Sequence, residues 1–470
     1  MTLNITVLGG GPGGYAAAIQ SARSGAAVTL IEQARVGGTC LHHGCIPSKI
    51  MKRSAELMDD LSRAWEFGIS LSGKTPIDLR QLMHRKTQII ANQVKGMSAQ
   101  LTQHHIHIVR GTGKIADPGV LKVVDAQGTE HPIEWDRLIL APGATPVEIP
   151  ALPFDGETIL SSSHALSLES LPQSLLIVGG GVIGCELGAI FSSLGVEVTL
   201  VEALERLLPL PAVDEDISKV FQREMKKRKL RFHLHTQLDR VEQNRDRCTA
   251  TLVHAQDPAQ VQQLEVEKVL VCIGRRPRTA GLGLDRVGIK TDSLGGIMVD
   301  DHMRTTLSNV YAIGDVLGPS GWMLAHVATM EGLVAGVNAT GGDQVMDYRA
   351  VPGAVFTQPE VASVGLTQKA AEREGIAVNT YTVLFRHVGK AHVIGHIGGE
   401  AKVVVNRDTH EVLGAHMVGP HVTELISEWA LAIHTGCTLE QMTKTIHPHP
   451  TLSEISQETA LKGIGSNLYG

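Results

Sequence analysis

The sequence predicts an α/β fold: two doubly wound, parallel-sheet domains followed by a smaller α+β domain. Two observations carry this prediction. A glycine-rich strand–turn–helix–strand unit occurs twice, and the pattern changes after about residue 349 to alternating strands followed by helices.

The first unit runs from the apolar stretch ITVL into Gly9-x-Gly11-x-x-Gly14, and Glu32 closes the next apolar run, VTLIE. The second runs from LLIV into Gly179-x-Gly181-x-x-Gly184, and Glu202 closes VEVTLVE. Both the glycines and the acids repeat at an offset of 170 residues. A single GxGxxG is weak, but here strand, turn, helix and acid agree twice. Glycines let the backbone approach a pyrophosphate, the helix N-terminus offers unbonded N–H groups, and the acid accepts from a ribose diol. The units therefore read as two Rossmann-like dinucleotide-binding domains. The carboxylate of Glu202 favours a free 2′-hydroxyl over a 2′-phosphate, and VEALERLLP supplies only Arg206 nearby. The second unit thus reads as a site for NAD rather than NADP.

Between the units, residues 51–66 and 77–103 read as helices, and 109–124 as short strands broken by Gly and Pro. The run 138–140 leads into Ala141-Pro142-Gly143. A strand over 268–274 (KVLVCIG) ends at Gly274, and VYAIGD places Asp315 at the end of another strand. In the last part, KVVVN and EVLGAHMVG read as strands, 422–435 as a helix, and a final helix follows Thr451.

Composition narrows the function classes. The chain has 470 residues, room for about three domains, and 43% hydrophobic residues, enough for a large core. A net charge of −6 argues against a nucleic-acid partner. No run reaches the ~18 apolar residues of a membrane helix. A strand pattern already begins at Asn4, so no leader is expected. Cys185, Cys248, Cys272 and Cys437 are scattered, as in a reducing compartment, so the expected location is the cytoplasm.

The other two cysteines lie in GGTCLHHGCIPSK. Cys40 and Cys45 stand in a glycine-bounded stretch, with no second ligand pair of the kind a metal site needs. The spacing suits two thiols that make and break one disulfide. Pro47 places Cys45 in a helix's first turn, where the dipole favours a thiolate, and leaves Cys40 accessible in a flexible loop. Lys49 follows one turn later on the same face. In His447-Pro448-His449-Pro450 each residue before proline is extended, so alternation turns His447 and His449 to opposite sides. Reading these histidines with His434 and Cys437 as metal ligands fails on irregular spacing, and no metal is expected.

GGGPGGYAAA, GGTCLHHGCIPSK, GGGVIGCELG, VYAIGDV, MLAHVATMEG and HPHPTLSE occur in one order along essentially the whole chain. Together they resemble the flavoprotein disulfide reductase family, in its lipoamide branch. That resemblance implies a tightly bound FAD, one per subunit, on Gly9, Gly11, Gly14 and Glu32. Asp315 would contact the ribityl and phosphate part, and the turn at Gly143 and the backbone around Ala325 would lie against the cofactor. NAD⁺ or NADH would bind at Gly179, Gly181, Gly184, Glu202 and Gly274.

It further implies that Cys40 attacks the substrate disulfide and that Cys45 is the flavin-facing thiolate. Lys49 would sit by the flavin with Glu186 as its ion-pair partner. His449 would be the general base, held by Glu454 and supplied by the partner of a homodimer. The FAD domain would comprise 1–150 and 276–345, the NAD domain 151–275, and the interface domain 346–470. The implied reaction is reversible oxidation of protein-bound dihydrolipoyl groups by NAD⁺, with a lipoyl domain or lipoyl-carrier protein as partner.

Three features depart from the pattern. His42-His43 replaces an Asn-plus-small pair, Ala141-Pro142-Gly143-Ala144 replaces an ATG-like turn, and FRHVGKAHVIG is unfamiliar. Rival readings are a glutathione-type reductase, disfavoured by Glu202, and a mercuric type, whose terminal cysteine pair GIGSNLYG does not show. A mere docking subunit of a lipoyl-carrier complex would have no need of Cys40, Cys45, His449 and Glu454.

Overall fold

The computed structural model describes residues 2–73, 76–244 and 247–469. They form two compact units, one of residues 1–50, 78–147 and 274–347 and one of 51–77, 148–273 and 348–470.

The first unit is built on a parallel sheet. Its strands, in spatial order, are Val310–Ala312, Arg137–Leu140, Asn4–Leu8, Ala27–Glu32 and His107–Arg110. Ile5, Val7, Leu30, Ile31, Leu138 and Ile139 are buried, as expected of strands covered on both faces. Helix Pro12–Arg23 packs against helix Ala325–Ala339. Their approach is so close that a Cβ on Gly332 would come within 2.3 Å of the Gly13 carbonyl oxygen. A three-stranded antiparallel sheet, Thr112–Asp117, Val120–Val124 and Glu130–Glu134, completes the unit's larger features.

The second unit repeats the parallel architecture. Arg231–His233, Glu197–Val201, Ser174–Val178, Lys268–Val271 and Ile159–Leu160 pair in that order. The register of the first strand pair matches its counterpart, Asn4 opposite Ala27 and Ser174 opposite Glu197. The same unit holds an antiparallel five-stranded sheet, Gly353–Val355, Glu360–Gly365, Val412–Gly419, Glu400–Asn406 and Val378–Leu384. Helices Val422–His434 and Glu454–Gly463 bury Ile426, Trp429, Ile433, Ile455 and Ala460 in its core. The Trp429 indole donates to the Ser456 hydroxyl, so the buried ring keeps its polar end satisfied.

Three local expectations change. Cys40 lies in a short helix, Gly38–His43, rather than a flexible loop. Gly37 starts it at φ 105, a left-handed conformation that favours glycine. The strand before Asp315 ends at Ala312, and Asp315 sits in the helical turn Gly314–Leu317. The strand from 268 stops at Val271, leaving Gly274 in the following loop at φ 124. Among the described residues no helix is long and apolar enough to cross a membrane.

Candidate active site

The glycine-rich turns are built alike. Gly9 and Gly179 both take φ 107 and end their strands. A Cβ on Gly14 would lie 1.9 Å from the Gly9 carbonyl oxygen, and one on Gly184 would lie 1.9 Å from that of Gly179. These third glycines therefore serve helix–strand packing. The middle glycines differ. Around Gly11 a Cβ would meet only the Gly38 Cα, 4.0 Å away, and around Gly181 nothing within 4 Å. Both are N-caps with no side-chain cap, so the first N–H groups of helices Pro12–Arg23 and Val182–Ser193 keep their donor capacity. An open space over a helix N-terminus fits a pyrophosphate.

The acids close each turn. Glu32 accepts from the Gly10 N–H at 2.8 Å and the Ala34 N–H at 2.7 Å. Glu202 does the same with Gly180 at 2.6 Å and Leu204 at 2.8 Å. These bonds orient each carboxylate toward its turn, and each oxygen keeps a lone pair for a ribose hydroxyl. The residues thus fit two dinucleotides.

Asp315 lies 3.4 Å from Arg275, whose guanidinium also donates to the Ala144 carbonyl at 2.6 Å. Burial pushes the Asp315 carboxyl up against the pull of Arg275. Gly143 takes φ 77 and its carbonyl accepts from the Arg278 N–H at 2.9 Å. Ala325 opens helix Ala325–Ala339.

Cys45 is the first residue of helix Cys45–Ser62, and Lys49 follows one turn later. The side chains of Cys40 and Cys45 are in hydrogen-bond contact. That bond, then burial and the neighbouring sulfur, push the Cys40 thiol far up, while Lys49 and the Cys45 N–H pull the other way. Cys45, at the head of its helix, stands where the helix dipole favours negative charge. Between them, His42 Nε2 lies 2.9 Å from the Val36 carbonyl oxygen. Burial, then the charges of His42, Lys86 and Arg278, pull His43 down.

In the second unit, His449 Nδ1 lies 2.8 Å from Glu454 Oε1. A carboxylate accepts, so Nδ1 carries the hydrogen of this bond. Glu454 Oε2 accepts from the Thr451 N–H at 2.9 Å. Burial raises the Glu454 carboxyl, but the His449 bond, the Thr451 N–H and the nearby imidazoles hold it below its ordinary range. The His449 side chain is 73% exposed, while that of His447 is 5% exposed and bound to Glu428. Glu186 is buried and accepts from the Phe356 N–H at 2.9 Å.

Some site groups escaped sequence reasoning. Arg275 carried no signal except its place after Gly274. Glu428 stands 19 residues before His447, on helix Val422–His434, so no local pattern links the two.

This is the construction of an enzyme that couples a thiol pair to dinucleotide chemistry, and the comparisons agree. The pyridine nucleotide-disulphide oxidoreductase model matches residues 3–332, and that family's dimerisation domain matches 351–460. The chain belongs to the pyridine nucleotide-disulphide oxidoreductase family, whose members use FAD and NAD(H). It is 39% identical to a dihydrolipoyl dehydrogenase of Chlamydia pneumoniae, over 98% of this chain and 97% of that one. It is 38% identical to a dihydrolipoyl dehydrogenase of Bacillus subtilis, over 98% and 99%. Among solved structures, LpdA from Mycobacterium tuberculosis superposes with a TM-score of 0.90 at 31% identity, covering 98% of this chain and 99% of that one.

Proposed function

We propose that this protein is a dihydrolipoyl dehydrogenase: it oxidises protein-bound dihydrolipoyl groups and passes the electrons to NAD⁺, reversibly. The observation that carries this is the thiol pair at the head of helix Cys45–Ser62, in a chain that also holds an exposed His449–Glu454 dyad. Whole-length likeness to dihydrolipoyl dehydrogenases supports it.

Bound FAD supplies a two-electron acceptor between the thiols and NAD⁺. The chain's residues do the rest. Glu454 fixes the His449 tautomer, and His449 Nε2 takes the proton from a dihydrolipoyl thiol. The resulting thiolate attacks Cys40 Sγ in the Cys40–Cys45 disulfide. That S–S bond breaks, and Cys45 leaves as a thiolate stabilised by its helix N-terminus. The second lipoyl thiol then attacks the sulfur bound to Cys40. Oxidised lipoyl departs, and Cys40 is left as a thiol. Lys49 and Glu186 keep the roles the resemblance gives them, a cation at the redox centre and its counter-ion.

Gly9, Gly11, Gly14, Glu32, Gly143, Asp315 and Ala325 are assigned to FAD, and Gly179, Gly181, Gly184, Glu202 and Gly274 to NAD. The working unit is a homodimer in which one subunit's His449 serves the other's cysteines. Residues 1–150 and 276–345 form the FAD domain, 151–275 the NAD domain and 346–470 the interface domain. A lipoyl domain or lipoyl-carrier protein is the partner, in the cytoplasm.

The test is a pair of assays on the purified holoenzyme: NAD⁺-dependent oxidation of dihydrolipoamide, and NADPH-dependent reduction of glutathione disulfide. Activity in the first supports the assignment. Activity only in the second replaces it with a glutathione-type reductase.

A further inference from the structure

His447 stands two residues before the proposed base, and the reaction above gives it no task. Its surroundings define its charge. Nδ1 lies 3.1 Å from the Thr445 carbonyl oxygen, and Nε2 lies 2.8 Å from Glu428 Oε1. A carbonyl oxygen can only accept, and so can an ionised carboxylate. Both ring nitrogens must therefore donate, and an imidazole with two N–H groups is a cation. The ring is 5% exposed, so solvent screens that charge little. Glu428 comes from helix Val422–His434, so a helix and not the loop alone holds the imidazole.

The groups that face His447 are Glu428 from that helix, the Thr445 carbonyl of its own loop, and Glu454 at the start of helix Glu454–Gly463. Glu454 is also the partner of His449. The cation thus acts through space on the carboxylate that holds the dyad. It favours the ionised form of Glu454, the acceptor for His449 Nδ1. The hydrogen bond that His447 donates to Glu428 holds it protonated above the ordinary imidazole range, against the effect of burial.

We propose that His447 is a positioning residue: a fixed, Glu428-bound imidazolium that sets the pH range over which the His449–Glu454 dyad accepts a proton from the substrate thiol. The proposal rests on the reading of His449 as the base. A histidine that only anchored the loop would leave that pH range where it is.

The test is the pH dependence of kcat/KM for dihydrolipoamide with NAD⁺, measured on the purified holoenzyme and on His447→Gln. Glutamine keeps a donor toward Glu428 and removes the charge. With the cation gone, the dyad holds its proton to higher pH, so the acid limb of the profile moves up by about half a pH unit, and activity recovers at high pH. An acid limb that stays in place, with the same loss at every pH, overturns the proposal. If His447→Gln does not fold, His447→Asn, which removes the same charge with a smaller side chain, must move the limb in the same direction. An unmoved limb there is equally fatal. His449→Gln separates the two claims: if it keeps full activity with dihydrolipoamide, the reading of the base fails, whatever His447 does.

Discussion

Gly181 and Gly184 make a matched pair of perturbations in one turn. Gly181 has φ −74 and ψ −169, a conformation open to any residue, and an added Cβ meets nothing within 4 Å. Gly181→Ala should therefore fold normally, and the loss of unfolded-state freedom should stabilise it by about 0.4–1 kcal/mol. The same methyl enters the space over the helix N-terminus that the NAD⁺ pyrophosphate needs. Losing one charge-assisted hydrogen bond there costs about 1.5–3 kcal/mol, or roughly a 10- to 150-fold rise in the NAD⁺ dissociation constant. Gly184→Ala behaves oppositely. Its Cβ would sit 1.9 Å from the Gly179 carbonyl oxygen and 3.4 Å from Ile177, so the helix must move off the strand. We expect a loss of about 3 kcal/mol or more and a clear drop in Tm. The assay pairs thermal melting with NAD⁺ titration of both holoenzymes. A Gly181→Ala protein that binds NAD⁺ like the parent would refute the assignment of this turn.

Two further predictions concern the C-terminal part. The Lys402 ammonium donates to Asp214 at 3.0 Å and Asp216 at 2.8 Å, and the Lys402 and Asp214 side chains are 4% and 5% exposed. Lys402→Met strands a buried carboxylate and should cost about 3–5 kcal/mol in chemical denaturation, whereas a change below about 1 kcal/mol would contradict the burial argument. His416 is fully buried with Nδ1 unpartnered, and burial pulls its proton affinity down. The unfolded chain binds that proton more readily, so this contribution is complete above the unfolded histidine pKa of ~6.5 and fades as pH falls below it. His416→Leu should flatten the decline in Tm between about pH 6.5 and 5, and an unchanged slope would show that other groups set it.

The parts of the fold legible in sequence are those with a local period. The two glycine turns, their strands and their closing acids could be read because each motif fits within about 30 residues and dictates its own backbone. The redox segment was legible in its residue types but not in its shape. The left-handed Gly37 lets Gly38–His43 wind into a helix, so Cys40 is held by backbone hydrogen bonds instead of lying in an open loop. The two rings differ in exposure and partner, yet alternation gave no hint that the His447 side chain would be buried against Glu428. Long-range polar pairs, such as Lys52 with Glu360 or Arg275 with Asp315, leave no periodic trace. Tertiary packing alone brings them together.

The central claim is that Cys40 and Cys45 form an electron-carrying pair in series with FAD. Anaerobic reductive titration of the oxidised holoenzyme counts that capacity directly. With two carriers of two electrons each, the protein should take up four electrons, two molar equivalents of dithionite, per FAD. Cys40→Ser and Cys45→Ser should each take up one. Uptake of a single equivalent by the unmodified protein, or of two by either variant, would contradict the account.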